Sequence, residues 1–156
     1  MRPRRLLVLS LSSAFGLGYL PLAPGTWGTL AAIPLWWALS SLAWLPFAAV
    51  AAIFTGAAIG VAHLAEGIYG EHDVQRIVID EVAGLLVAAI GVPFRWPEIL
   101  AAFVLFRVLD MTKPPPIRAI DRGVGGALGV VLDDVAAGAV ACALMHLGRA
   151  LYGGWW

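Results

Sequence analysis

With 156 residues, 61% of them hydrophobic and 13% charged, the chain has room for one domain but carries too little charge for an ordinary soluble one. A mean hydropathy of +0.87 and long apolar runs point instead to an integral membrane protein. The formal net charge of zero offers no field for nucleic acid, and the single cysteine, Cys142, excludes an intrachain disulfide and a CxxC metal knuckle.

Arg2, Arg4 and Arg5 precede a short apolar run, Leu6-Leu7-Val8-Leu9, which imitates a signal peptide. Serines and Gly16 interrupt it and no Ala-x-Ala site follows, so the segment is expected to stay on the protein. Gly16 to Thr29 is dense in glycine and proline and reads as a shaped loop whose backbone can approach a ligand. Its end, Gly25-Thr26-Trp27-Gly28-Thr29, opens the next helix, and a helix N-terminus is a ready anion site. Simple capping of a membrane helix remains the other reading. No Gly-Lys-Ser/Thr follows, so it is not a Walker loop.

Leu30 to about Trp44 reads as the first span and Phe47 to Ala65 as the second, with Gly56, Ala57 and Gly60 as small contact residues. His63, Glu66, His72 and Asp73 follow around a polar loop, as candidates for proton transfer or for an extended acidic set. Asp80-Glu81 leads into a third apolar stretch ending near Val92, and Ile99 to Leu109 forms a fourth. Both are shorter than the roughly 20 residues that cross a bilayer comfortably, so their polar ends sit near or below the headgroups or the bilayer thins locally. A re-entrant hairpin over 82–109 is the alternative. Residues 111–126 read as a basic loop rich in proline and glycine. Ala127 to about Leu147 is the last span, with Asp133-Asp134 inside it. The expected architecture is all-α: one membrane-embedded domain over 1–156, a bundle of about four to five embedded helices.

With about five crossings, the Gly/Pro loop, the 66–81 loop and the 107–134 region fall on one side. That side holds Arg2, Arg4, Arg5, Arg76, Arg107, Lys113, Arg118 and Arg122, against Arg95 and Arg149 on the other. The positive-inside rule makes it the cytoplasmic side, with Trp44, Trp96, Trp155 and Trp156 belting the opposite face.

The stretch Phe106 to Arg118 concentrates the chemistry. Arg107, Asp110 and Lys113, three apart, share one helical face until Pro114 stops the helix. An arginine fork and a movable lysine charge suit a phosphate; snorkelling to headgroups is the alternative. Asp80, Glu81, Asp133 and Asp134 stand in or beside apolar segments, where acids are costly and functional by default. Alternatively, each pair lies at a helix start and is satisfied by the dipole. Together with Mg²⁺ these acids would stabilise one another; without a cation they would repel. Gly84 and Gly138, each four residues after an acid, either allow close helix packing or leave room for a ligand. No Cys-x5-Arg loop, phosphoaspartate Asp-x-Asp-x-Thr motif, Pro-Ser-Gly-His or Gly-x-Ser-x-Gly is present. Metal-assisted attack of water on a phosphate remains.

Four segments in order carry a resemblance: Leu20-Pro21-x-Ala23-Pro24-Gly25-Thr26-x-Gly28, Asp80-Glu81-x-x-Gly84, Phe106-Arg107-x-x-Asp110-x-x-Lys113-Pro114-x-Pro116-Ile117 and Asp133-Asp134-x-x-Ala137-Gly138. Over nearly its whole length the chain resembles the phosphatidylglycerophosphatase A family; Thr29 keeps the hydroxyl where the family usually has serine. The resemblance implies a Mg²⁺-dependent enzyme of the bacterial inner membrane that converts phosphatidylglycerophosphate to phosphatidylglycerol and phosphate. On this reading Asp80, Glu81, Asp133 and Asp134 hold the metal, and Asp110 is a further ligand or the base. Arg107 and Lys113 bind the phosphate, while Thr26, Gly28, Thr29 and Arg118 meet the headgroup of a lipid substrate held in the bilayer. A CDP-alcohol phosphotransferase is disfavoured, because its Asp-Gly-x-x-Ala-Arg pattern is missing. A small transporter or ion-binding subunit would need polar residues along a path to the far face, and the far halves of the spans are almost wholly apolar.

Overall fold

In a computed structural model that describes residues 3–72 and 74–154, the chain is helical, with no strand among those residues. The helices are α1 (Pro3–Ser12), α2 (Pro24–Leu39), α3 (Trp44–Tyr69), α4 (Ile79–Ala88), α5 (Trp96–Thr112), α6 (Pro115–Gly123) and α7 (Gly126–Tyr152), with a 3-10 turn at Leu17–Tyr19. Proline sets three of the starts, standing in the first turn of α2, α5 and α6. There its fixed φ suits the helix and its missing N–H costs nothing.

Helices α2, α3, α4, α5 and α7 run alternately between two layers. At one layer the turn after α2 meets the turn after α4: Ser40, Leu42 and Trp44 line a common hollow with Gly91, Val92 and Pro93. His146 of α7 joins them, its Nε2 lying 2.9 Å from the Ile90 carbonyl oxygen. The other layer holds the starts of α2 and α4, the end of α5 and the acidic part of α7. The pair α4–α5 is therefore a hairpin that leaves this layer and returns to it.

Helix α4 is the axis. It is ten residues long, about 15 Å, and Ala83, Leu85, Leu86 and Ala88 on it are wholly buried. Its continuous apolar run, which hides the helix end in sequence, stops structurally at Gly91, where φ is +71°. Against it lies α7, and the crossing is made by glycines: a Cβ on Gly138 would stand 2.1 Å from the Gly84 carbonyl oxygen. A Cβ on Gly84 would meet the Phe106 ring at 2.4 Å. Of the two readings of these glycines, close packing is the one observed.

The small contact face of α3 differs from the expected one. A Cβ on Gly56 or Gly60 would meet nothing within 4 Å, whereas Ala51, Ala58, Ala62 and Ala65 are buried against the bundle. Glycine content alone does not tell which helix face is covered. By length and composition, α3 and α7 are long and apolar enough to cross a membrane. Large apolar side chains are exposed around the bundle, among them Ile53, Leu45 and Leu100, as expected of a surface that meets lipid. Trp44 and Trp96 are exposed at the layer away from the acids; Trp155 and Trp156 lie outside the described residues.

Candidate active site

The acids converge because four chain segments end in one layer. Asp80 and Glu81 occupy the first turn of α4, as the dipole reading required for that pair. Asp133 and Asp134 do not fit the same reading, since they sit about two turns inside α7. Asp80, Asp133 and Asp134 are each about 95% buried. Together with Glu81, Asp110, Lys113 and Asp121 they line a single pocket of about 120 Å³.

Two subsets separate within that pocket. One carboxylate oxygen from each of Asp80, Glu81 and Asp134 lies within 4.8 Å of the others, close enough to share one cation. No lysine or arginine pairs with these three among the described residues, and Glu81 Oε2 is buried without a hydrogen-bond partner. An oxygen-only donor set with an orphaned buried oxygen fits a hard divalent cation. The other subset is matched. Arg107 donates to Asp110 Oδ2 at 2.6 Å, and Lys113 Nζ donates to Asp121 Oδ1 at 2.5 Å and to Asp133 Oδ2.

Asp133 therefore turns away from the trio it was grouped with in sequence. Neighbouring helical residues diverge by about 100°, and here Asp133 accepts from Lys113 while Asp134 stays with the trio. The shared face expected of Arg107, Asp110 and Lys113 holds for the first two only. Helix α5 ends at Thr112, and Lys113 adopts a left-handed backbone with φ of 43° before the prolines. A lysine held there is strained, as is common where a side chain must be aimed. Partial burial works against its charge, but the bonds to Asp121 and Asp133 prevail and hold its pKa above that of a free lysine. The same bond from Lys113 holds Asp121 below the ordinary carboxylate range.

At the site, Asp121 escaped the sequence reading, and Gly25 reads only as part of a loop that approaches a ligand. Asp121 was hidden because 115–123 reads as a loop; the structure makes it helix α6, nucleated by the prolines that end α5. A Cβ on Gly25 would stand 2.2 Å from Glu81 Oε1 and 3.0 Å from Arg107 Nη1, so the start of α2 is pressed against the site. The loop signal Pro24-Gly25 pointed to such an approach without giving its target.

The remaining candidates are spread more widely. Gly28 packs on Val78, and Thr29 is wholly buried with its hydroxyl donating to the Gly25 carbonyl oxygen at 2.8 Å. Thr26 is half-buried in the first turn of α2, and Arg118 is exposed on α6, outside the lining of the acidic pocket. Glu66 lies 3.2 Å from His72 Nδ1 near the end of α3, and His63 is exposed on the same helix. Neither histidine lines the acidic pocket, and Asp73 lies outside the described residues.

Buried oxygen ligands beside an arginine and a lysine, at one end of an apolar bundle, are the equipment of a membrane-embedded enzyme acting on phosphate. The comparisons narrow that class. A family model described as phosphatidylglycerophosphatase A matches residues 10–149, and the chain belongs to that family. It is 40% identical to a phosphatidylglycerophosphatase A of Escherichia coli K12 over 139 residues, 87% of this chain and 80% of the relative. The corresponding protein of Haemophilus influenzae is 39% identical over 132 residues, 81% of this chain and 79% of the relative. A Bacteroides thetaiotaomicron protein named "Putative phosphatidylinositol-3-phosphatase" is 40% identical over 162 residues, 97% of this chain and 99% of the relative. No solved structure matches.

Proposed function

We propose that the chain is a single-domain phosphatidylglycerophosphatase of the bacterial cytoplasmic membrane, with its site opening on the cytoplasmic side and Mg²⁺ as its metal. Family membership and two relatives named for the activity support the reaction. The observation that carries the site is the trio of buried Asp80 and Asp134 with half-buried Glu81, which has no cationic partner among the described residues.

These three residues would hold the ion, which when bound supplies positive charge to a phosphoryl oxygen and makes water a better nucleophile. Arg107, which meets the start of α2 beside Glu81, and Lys113, in the pocket lining, receive the terminal phosphate, spreading its charge as the bond to the lipid breaks. Asp110, in the pocket and anchored by Arg107, is placed to take a proton from water. Oxygen from that water joins phosphorus, the bond from phosphorus to the glycerol oxygen breaks, and the alcohol leaves with a proton. Asp133 and Asp121 act through Lys113, by holding its ammonium at the pocket.

Orientation rests on the cluster of basic residues at the site layer, following the positive-inside rule. With α4 about 15 Å long, the site would lie below the headgroup level or draw the bilayer thinner. The transporter reading is not favoured: below the trio the core is Leu85, Leu86, Ala88, Ala89, Ala137 and Ala141, wholly buried and apolar.

The test is phosphate release by purified protein in detergent, with phosphatidylglycerophosphate or phosphatidic acid as substrate, in Mg²⁺ or EDTA. Mg²⁺-dependent release, faster from phosphatidylglycerophosphate, is expected. Release from neither lipid by folded protein would overturn the reading.

A further inference from the structure

Beside the acidic pocket lies a larger cavity of about 760 Å³ that the mechanism does not use. Its walls are the loop Gly18–Pro24 on one side and Tyr69, Gln75 and Arg76 on the other. The loop is bent by two consecutive left-handed residues, Leu22 at φ 70° and Ala23 at φ 50°, which swing the chain into α2. Pro24 lines the cavity while its neighbour Gly25 touches Glu81 and Arg107, so the two hollows share one wall.

The cavity holds the donors of an anion site. The Arg76 guanidinium carbon lies 5.6 Å from the centroid of the Tyr19 ring, which steadies its plane. The Tyr19 hydroxyl in turn lies 2.6 Å from that of Tyr69. Arg107 and Lys113 are paired with carboxylates, whereas Arg76 forms no ion pair among the described residues. Glu71 stands exposed in the lining. An arginine fork with free N–H groups, flanked by phenol hydroxyls, recognises a phosphate.

We infer that this cavity binds the bridging phosphodiester of the lipid substrate while its terminal phosphate occupies the acidic pocket. The inference rests on the proposed activity. A lipid with one phosphate cannot fill both hollows, so Arg76 is a specificity residue for the two-phosphate headgroup. Binding there contributes to the ground state and the transition state alike, and its loss raises KM with kcat retained.

The experiment compares wild type, Arg76→Ala and Arg76→Lys on phosphatidylglycerophosphate, and measures inhibition by phosphatidylglycerol, which keeps only the bridging phosphate. Arg76→Ala is expected to raise KM about tenfold and to weaken the inhibition about as much, with kcat unchanged and Arg76→Lys between. Phosphatidic acid, where turned over, should be handled alike by all three. Unchanged KM and inhibition in Arg76→Ala would overturn the inference, as would an equal loss on both substrates, which would mean a general anionic-lipid effect. Failure of the wild type to hydrolyse phosphatidylglycerophosphate would instead overturn the proposed activity.

Discussion

Two sets of carboxylates share one pocket wall and are treated differently by the fold. Asp110, Asp121 and Asp133 each face a basic side chain, Arg107 or Lys113. Asp80, Glu81 and Asp134 face one another with none among the described residues. A matched acid has its charge balanced on the spot. On the proposed reading Asp121 and Asp133 aim the Lys113 cation, and Asp110, anchored by Arg107, serves as the base. A trio without basic partners is stabilised by a bound cation or by protonation. On the same reading, the difference divides the site into a part that positions and a part that would hold the ion.

Substitutions should expose that division, and the trio should be the most sensitive. Asp134→Asn and Asp80→Asn are expected to lower kcat by about 10³ in steady-state phosphate release, the scale for losing an electrostatic stabiliser of the transition state. Lys113→Ala follows at about 10², because it removes a phosphate contact and leaves Asp133 buried without its partner. Equal losses in the trio and at Lys113 would erase the distinction.

Packing beneath the site comes next. Gly138→Ala sets a Cβ against the Gly84 backbone, which cannot rotate away, and is expected to cost about 1–3 kcal/mol of stability by thermal unfolding in detergent. Gly56→Ala, inside α3 with open space around it, should instead hold or raise the melting temperature.

The smallest effect belongs to Asp121→Asn. Asp121 is held below the ordinary carboxylate range, so its contribution is present above that range and fades as pH falls through the depressed value. Lys113 is held above the ordinary lysine range, so its share is full below the ordinary lysine value and is lost as pH rises from there through the raised value. Melting curves of wild type and Asp121→Asn should therefore differ slightly at neutral pH and converge only below about pH 4.

Much of this was legible in the sequence for a physical reason: acids in apolar segments are rare enough to stand out, and Asp80, Glu81, Asp110, Asp133 and Asp134 do line one pocket. What sequence lacks is direction. Asp133 and Asp134 look like one motif, yet helical rotation sends one to Lys113 and leaves the other with the trio. The prolines after Lys113 stop α5 as expected, but the same residues start α6 and so bring Asp121 back to the site. Gly25, Gly56 and Gly138 are alike in composition; only the fold presses the first onto Glu81, exposes the second and buries the third under Gly84.

The most direct test is binding of Mn²⁺, as a spectroscopic stand-in for Mg²⁺, to purified wild-type, Asp134→Asn and Asp133→Asn protein without substrate. Saturable binding by wild type that survives in Asp133→Asn and is lost in Asp134→Asn is the predicted result. Binding that survives in Asp134→Asn, or disappears only in Asp133→Asn, would contradict the account.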